Sequence, residues 1–580
     1  MSTPFTHHTE GYACFRIPAL ITTVSGALLV FAEGRVDDCG DIGHIDIVMK
    51  RSLDGGRTWG PLKKLSGAAD TLAHGNPAPV VDAATGRISL LHASGAWSLG
   101  SDGTRVRGPR SLHALSSTDD GVTWTARGPL NHLKPAGWSW VSTGPGHGLQ
   151  LAAGPNRGRL VIPGDHTTED AQGGGQLYYS DDGGQNWTLG AVHRVPRTSA
   201  HPSELAVAER ADGSLYVNAR SSATCGTDDH RMTATSVDAG HTFATPFISV
   251  PSLETPPVFG SLLRMPSSGP NRPRLLLSAP SRPGAHTVED RRTLAIRSSF
   301  DEGRTWQSAG TVVEPGRAGY SDLTLLPSGA IGLAYETASN TPHGTVRFTS
   351  FTETQMDAER EELRLPRTSD STGNRNHAVV HGGAVLGSRG SGRAIELDGR
   401  DDYLRLVNCA PSLRLGGGDF TVTAWFRHTG TSGPQPIVWG YGQGAGARQF
   451  WLRAEPSSGT VRAAIDTGTA SASVETPSSY NDDAWHHVVF QRQGGRLRLS
   501  VDGGTVHTAA APAGDITPPG AFTIHLGARP DYEQLFRGGL DDIRIYGRAL
   551  TPAEYARVRD GATDVAVEEE RVRLGFTTLW

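Results

Sequence analysis

The chain has 580 residues, too many for one ordinary domain, and its 37% hydrophobic and 19% charged composition is that of a folded globular protein, not a disordered or fibrous one. A net charge of −5 with no dense lysine or arginine block excludes the electrostatic footprint of a nucleic-acid binder. No stretch approaches the roughly 20 apolar residues of a membrane helix. The start "MSTPFTHHTEGYACF" lacks the basic and apolar segments of a secretory signal, so the expectation is a soluble chain, cytoplasmic as it stands and extracellular if a leader precedes it.

The first strand-like run, "YACFRIPALIT", carries one full charge, Arg16, in an otherwise apolar setting. A buried guanidinium needs an anion. A second run, "LLVFAEGR", follows, and then the acidic loop "VDDCGDIGH" with Asp37, Asp38 and Asp41. The cysteines Cys14, Cys39, Cys225 and Cys409 form no Cys-x-x-Cys pair, which argues against a zinc site and a disulfide-dense scaffold and is compatible with four reduced thiols.

One short pattern then occurs five times: "SLDGGRTW" from Ser52, "STDDGVTW" from Ser117, "SDDGGQNW" from Ser180, "SVDAGHTF" from Ser236 and "SFDEGRTW" from Ser299. Its chemistry is that of a tight hairpin, in which Asp accepts backbone N–H groups, Gly takes a positive φ and the aromatic packs over the turn. It recurs about every 60 residues between strand-like runs such as "DIVMKRS" and "RTLAIRSS". Units of that length over about 355 residues predict an all-β, six-bladed propeller of four-stranded blades, the unmarked blade completed by joining the first and last strands.

After residue 354 the polar stretch "TQMDAEREELRLPRTSDSTGNRNH" suggests a linker over 355–380. Alternating strands with Gly/Asp turns over 381–565 predict a β-sandwich, and 566–580 reads as a tail.

The repeated frame resembles the Asp box of sialidase-type propellers, and "FRIPAL" followed by "LLVFAEGR" resembles the opening of the exo-α-sialidase family. The resemblance implies three arginines on the carboxylate of a terminal sialic acid, here Arg16, Arg231 and Arg291, with Arg292 as the alternative to Arg291. It implies Tyr320 in "GYSDLTLL" as nucleophile and Glu209 as its base, with Glu204 the other reading. It implies Asp41 as general acid, with Asp38 the alternative, Glu336 as the partner of Arg16, and Glu33 and Arg35 beside the sugar's O4. A phenol suits this substrate, because a carboxylate nucleophile would be repelled by the sugar's own carboxylate. A loop carboxyl such as Asp41 would need a raised pKa to stay protonated in the complex.

"HGNPAPV" at His74 and "TGPGHGLQL" at Thr143 resemble segments near the family's pocket, while Trp138 and Trp140 stay unassigned between core and pocket. The segment "GGLDDIRIYGRALTPAEY" resembles the close of a laminin-G-like, concanavalin-type jelly roll. Such domains often bind carbohydrate, sometimes with calcium. Neither Asp401-Asp402 nor Asp541-Asp542 sits in a readable ligand series, and Trp425, Trp439 and Trp451 are open between core and sugar platform.

The reading is a monomeric, retaining exo-α-sialidase that needs no cofactor and acts on sialylated glycans, glycoproteins or glycolipids, with no nucleic-acid partner. A trans-sialidase and a non-catalytic sialic-acid lectin are the alternatives.

Overall fold

The computed structural model describes every residue except 67–71, 198–199, 223–229, 267–272, 282–290, 338–343, 364–365, 375, 407–410, 431, 520–521 and 580. The chain divides into two compact units, the first Met1–Ala223 with Asp228–Arg364, the second beginning at Leu365. Among the described residues, no helix is long and apolar enough to cross a membrane.

The first unit is built from consecutive antiparallel meanders. Cys14–Thr22, Leu28–Arg35 and Ile45–Ser52 pair in order, and a single parallel bridge, Ile45 to Ala73, leads into Ala73–Val81, Ile88–Leu99, Arg105–Ser117 and Thr125–Pro129. Trp138–Val141, Leu160–Thr168, Gln172–Ser180 and Thr188–Val192 follow, then Pro202–Glu209, Leu215–Ser221, His230–Ser236 and Ile248–Glu254. Ser261–Arg264, Leu275–Pro280 and Arg292–Ser299 lead to the 17-residue strand Ala309–Leu325, which is shared with Ile331–Thr337 and Thr345–Phe351. The expected joining of first and last strands is present: Ser2–Phe5 pairs with Thr345–Phe351.

Side-chain alternation explains why these strands are buried on both faces. In Leu28–Arg35, Leu28, Val30 and Ala32 pack with Phe348, whereas Leu29 and Phe31 pack with Ile88 and Leu90 of the next meander. The five Asp boxes share one hydrogen-bond scheme. In the first, Ser52 Oγ donates to Asp54 Oδ1 (2.8 Å) and accepts from the Gly56 amide (2.9 Å), while Thr58 returns its amide and hydroxyl to Asp54. In the third box Asn186 replaces Thr and donates its amide nitrogens to Asp182 instead. Gly56 has φ +84°, and a Cβ there would stand 2.1 Å from Phe348, so no side chain fits.

Cys14 and Cys39 form a disulfide rather than remaining thiols, because the loop after Leu28–Arg35 folds back on Cys14–Thr22 and brings their Cα atoms to 5.2 Å. Cys225 and Cys409 lie outside the described residues. Nor is 355–380 a linker. The helix Glu353–Ala358 is capped by Thr352 and clasps the fully buried Arg274 through Glu353 and Asp357, which fastens the start of this segment to the first unit. Further on, Arg367–Thr368 and Ala378–His381 are strands of the second unit.

Among the described residues, that second unit packs two eight-stranded antiparallel sheets around one apolar core. The expected tail is part of it: Glu570–Leu574 pairs with Arg537–Tyr546, and Val572, Leu574 and Phe576 are fully buried. Trp439 and Trp451 stack at 5.5 Å, with Arg453 and Arg462 over Trp451, and Trp425 is covered by Arg389. Asp541 receives Arg389 and Asp542 receives Arg544. Asp398, Asp401 and Asp402 lie together, but Asp402 spends its oxygens on the amides of Gly383 and Asp398, the role of a turn.

Candidate active site

A cavity of about 290 Å³ opens in the first unit, lined by Arg16, Arg35, Asp41, Glu204, Arg220, Arg291 and Tyr320 among others. Its walls come from strand ends that are bent by bulges. The register slips between Arg16 and Ala19, between Gly75 and Ala78, and between Ser203 and Leu205. In each slip one residue takes a left-handed φ: Ile17 at +58°, Asn76 at +58° and Glu204 at +44°. A bulge re-aims the side chains beside it and stores local strain, which is tolerated where the surroundings fix it.

Arg16 is 7% exposed and answers the puzzle of a charge in an apolar strand. Its Nε and Nη2 face the fully buried Glu336 at 3.4 and 3.5 Å, and its Nη1 reaches Asp41 Oδ1 at 3.3 Å. Glu336 also accepts the amides of Ile17 (2.6 Å) and Tyr320 (3.0 Å). One carboxylate thus locks the arginine strand to the tyrosine strand.

Tyr320 is the hub. Its hydroxyl donates to Glu204 Oε1 and accepts from Arg220 Nη1 at 3.2 Å. The guanidiniums of Arg16 and Arg291 lie 5.5 and 5.2 Å from its ring centre. Arg220 in turn pairs with Glu204 Oε2 at 3.0 Å. Burial pushes the Tyr320 phenol up and Glu204 adds to it, against the pull of Arg220, Arg291 and Arg16.

Two expected residues are displaced. Glu209 sits at the far end of Pro202–Glu209, where its carboxylate accepts the amides of Ala152 and Ala153, and it lines a different cavity. Five residues of strand span about 16 Å, and it is Glu204, the other reading, that meets Tyr320. Arg231 is fully buried, with Nε on Asn218 Oδ1 (2.7 Å) and Nη1 on Val258 O (2.5 Å), and it does not line the cavity. Arg220, which no sequence motif singled out, lines the cavity instead. The available signal was the "NAR" triplet, whose arginine pairs across the strand beside the bulged Glu204.

Arg291 lines the cavity, held by two bonds to Pro257 O, whereas Arg292 is the first residue of Arg292–Ser299. Arg35 grips Glu33 Oε2 through Nε and Nη2 and reaches Asp41 Oδ1 through Nη1 at 2.7 Å. Glu33 Oε1 accepts the Asn76 amide at 2.9 Å, and a Cβ on Gly75 would stand 2.5 Å from that oxygen. Thr143 Oγ1 donates to Asn76 O, so both Gly/Pro-rich segments flank the cavity. Asp38 points away, to Arg105 and the Gly40 amide.

Asp41 is over half exposed. Burial opposes its charge, but Arg35, Arg16 and Arg107 outweigh that and hold it well below the usual carboxylate range, opposite to the raised pKa expected from its loop position. Asp165, absent from the sequence reading, behaves otherwise. Burial pushes it up to about 6, against a hydrogen bond from Ser142. Trp140 lines the cavity with Arg110 at 3.8 Å and Arg107 at 4.9 Å from its ring, while Trp138 is core, stacked on His166. The site is a cationic floor around a phenol, with one exposed carboxyl at its rim, and it suits a small anionic ligand.

Residues 26–333 match the family described as BNR repeat-like domain, and 398–556 match the concanavalin A-like lectin/glucanases superfamily. An exo-alpha-sialidase of Arthroderma benhamiae is 31% identical over 353 residues, covering 56% of this chain and 78% of the fungal protein. The chain belongs to the sialidase family. A sialidase of Micromonospora viridifaciens is 34% identical over 356 residues, 59% of this chain and 52% of the relative, so the chain spans about half of that protein's length. A solved Hadza microbial sialidase superposes with a TM-score of 0.51 at 26% identity, covering 61% of this chain and 68% of that one.

Proposed function

We propose that the chain is a retaining exo-α-sialidase that removes terminal α-linked sialic acid from glycans. The observation that carries this is Tyr320 hydrogen-bonded to Glu204 among the guanidiniums of Arg16, Arg220 and Arg291.

The sugar's carboxylate sits on the three guanidiniums, whose orientation is prepaid by Glu336 for Arg16 and by Pro257 O for Arg291. Tyr320 attacks the anomeric carbon as Glu204 takes its proton, a neutral phenol being a poor nucleophile until a base removes that proton. Asp41 gives a proton to the departing oxygen. In the free protein the arginines hold Asp41 ionised; a bound carboxylate offsets Arg16 and raises the Asp41 pKa toward protonation. Asp41 then deprotonates water, which displaces Tyr320 and restores the original anomeric configuration.

The test is trapping with 2,3-difluorosialic acid followed by peptide mass spectrometry. An adduct on Tyr320 supports the reading, and an adduct on a carboxylate overturns the nucleophile. Lactose added to a turnover assay separates hydrolysis from transfer, since sialyl transfer to lactose exceeding free sialic acid would make the enzyme a trans-sialidase.

A further inference from the structure

Asp41 stands on a loop that has almost no structure of its own. Between Leu28–Arg35 and Ile45–Ser52, residues 36–44 form no strand or helix, and the Val36 amide to His44 O is their one backbone bond across the loop's ends. The side chains of Asp38 and Asp41 are each more than half exposed. Such a segment would sample many conformations unless something else held it.

Two groups outside the cavity hold it. Cys39, two residues before Asp41, is bonded to Cys14, two residues before Arg16. The carbonyl of Cys39 also accepts from Arg35 Nη1 at 2.6 Å, the same nitrogen that holds Asp41. The second group is Arg105, the first residue of Arg105–Ser117. Its Nη1 donates to Asp38 Oδ2 and to Ile42 O, both at 2.9 Å, and its Nη2 to Asp37 Oδ2 at 3.2 Å. Gly43 makes this possible: its φ is +148°, and a Cβ there would come within 3.0 Å of Arg105 Nη1. Neither cysteine nor Arg105 lines the cavity, and each grips a residue flanking Asp41 rather than Asp41 itself.

We propose that the Cys14–Cys39 disulfide and Arg105 are a two-point clasp that positions Asp41 for proton donation to the leaving group, which makes Cys14, Cys39 and Arg105 positioning residues for that step. The proposal rests on the sialidase reading above. Its consequence is chemical rather than merely structural. A sugar alkoxide is strongly basic and cannot leave without a proton, whereas p-nitrophenolate is weakly basic and leaves with little help. Loosening the clasp therefore penalises natural glycosides and spares the activated aryl glycoside, while nucleophilic attack by Tyr320 proceeds in both.

The experiment compares kcat/KM for 3′-sialyllactose and for p-nitrophenyl sialoside in the wild type, the double variant Cys14→Ser/Cys39→Ser, Arg105→Gln and Arg105→Lys. The expected result is a loss of about tenfold or more on sialyllactose for the double variant and for Arg105→Gln, a change within about twofold on the aryl glycoside, and partial recovery in Arg105→Lys. Equal losses on both substrates, or no loss on either, would overturn the clasp. Should the cysteine variant fail to fold by its melting curve, Arg105→Gln decides alone, since it removes only the ion pairs and hydrogen bonds of a partly exposed side chain and leaves the core intact. A wild type inactive on both substrates would instead overturn the sialidase reading, and the clasp with it.

Discussion

Glu204 accepts the hydroxyl proton of Tyr320 across 116 residues of sequence, from a bulge that gives it a left-handed φ. Glu209, on the same strand, faces another part of the unit altogether. This pair yields a direct prediction. Glu204→Gln keeps the size of the side chain but cannot take the proton, and kcat on a fluorogenic sialoside is expected to fall by about 10²- to 10⁴-fold. Glu209→Gln is expected to leave kcat within about twofold and to act only on stability, through its bonds to Ala152 and Ala153. Comparable activity losses in the two variants would refute the assignment.

Arg220 and Arg231 make a second pair. Arg220→Ala is expected to raise KM for sialosides and lower kcat/KM by roughly two orders of magnitude, corresponding to about 3 kcal/mol for a charge-assisted contact. Arg231→Ala is expected to lower the melting temperature instead, because Asn218 Oδ1 and Val258 O lose their donors in a fully buried site. Melting curves alongside Michaelis–Menten analysis distinguish the two roles, and a folded, stable Arg231→Ala with a raised KM would reverse them.

Asp165 predicts a pH-dependent stability difference. Its folded pKa of about 6 lies above the ordinary carboxylate value, so the unfolded chain ionises first as pH rises. The resulting cost is absent at strongly acid pH, grows through the window between the ordinary value and about 6, and is constant above it. Asp165→Asn, which keeps an acceptor for Ser142, is expected to be more stable than wild type at pH 7.5, by on the order of 3 kcal/mol, and to lose that advantage near pH 3.5. A difference that does not change with pH would contradict the raised pKa.

The second unit carries an acid sensitivity of the other sign. Burial holds His525 down to about 3, with Arg405 adding to it, and burial holds His487 down to about 4. Both are neutral in the folded unit, while the unfolded chain takes up their protons near the ordinary histidine value of about 6.5. Stability is therefore full above that value and falls as pH drops toward 4, on the order of 3 kcal/mol for His525 alone. Calorimetry of wild type and His525→Gln from pH 7 to pH 4 checks this. The variant, having no proton to gain, is expected to lose less stability across the window.

Local chemistry carried much of this protein into legibility. The five boxes are complete within eight residues each, and their turn geometry follows from Ser, Asp, Gly and Thr alone. Arg16 stood out because a charge in an apolar run demands a partner, and Glu336 is that partner. Tyr320, Asp41 and Arg291 stood beside readable motifs and line the cavity together. The misses share a different cause. Preferring Glu209 to the alternative Glu204, and overlooking Arg220, both trace to a one-residue bulge, which leaves no mark on composition or periodicity. The Cys14–Cys39 bond was invisible because spacing alone cannot say which loop folds back on which strand. The segment 355–380 looked like a linker because nothing in its polar composition shows that Asp357 faces a buried arginine or that Arg367–Thr368 and Ala378–His381 pair as strands.

By itself, then, the sequence determined the strand-and-turn grammar, the two units of β-structure and the residue types of an anion-binding phenol site, since each depends on neighbours within a few positions. Tertiary structure alone decided which glutamate meets Tyr320, which arginine completes the cationic floor and what pins the Asp41 loop. Those choices turn on strand register and on contacts between residues as far as 116 positions apart, where one residue of slip sends a side chain to the opposite face.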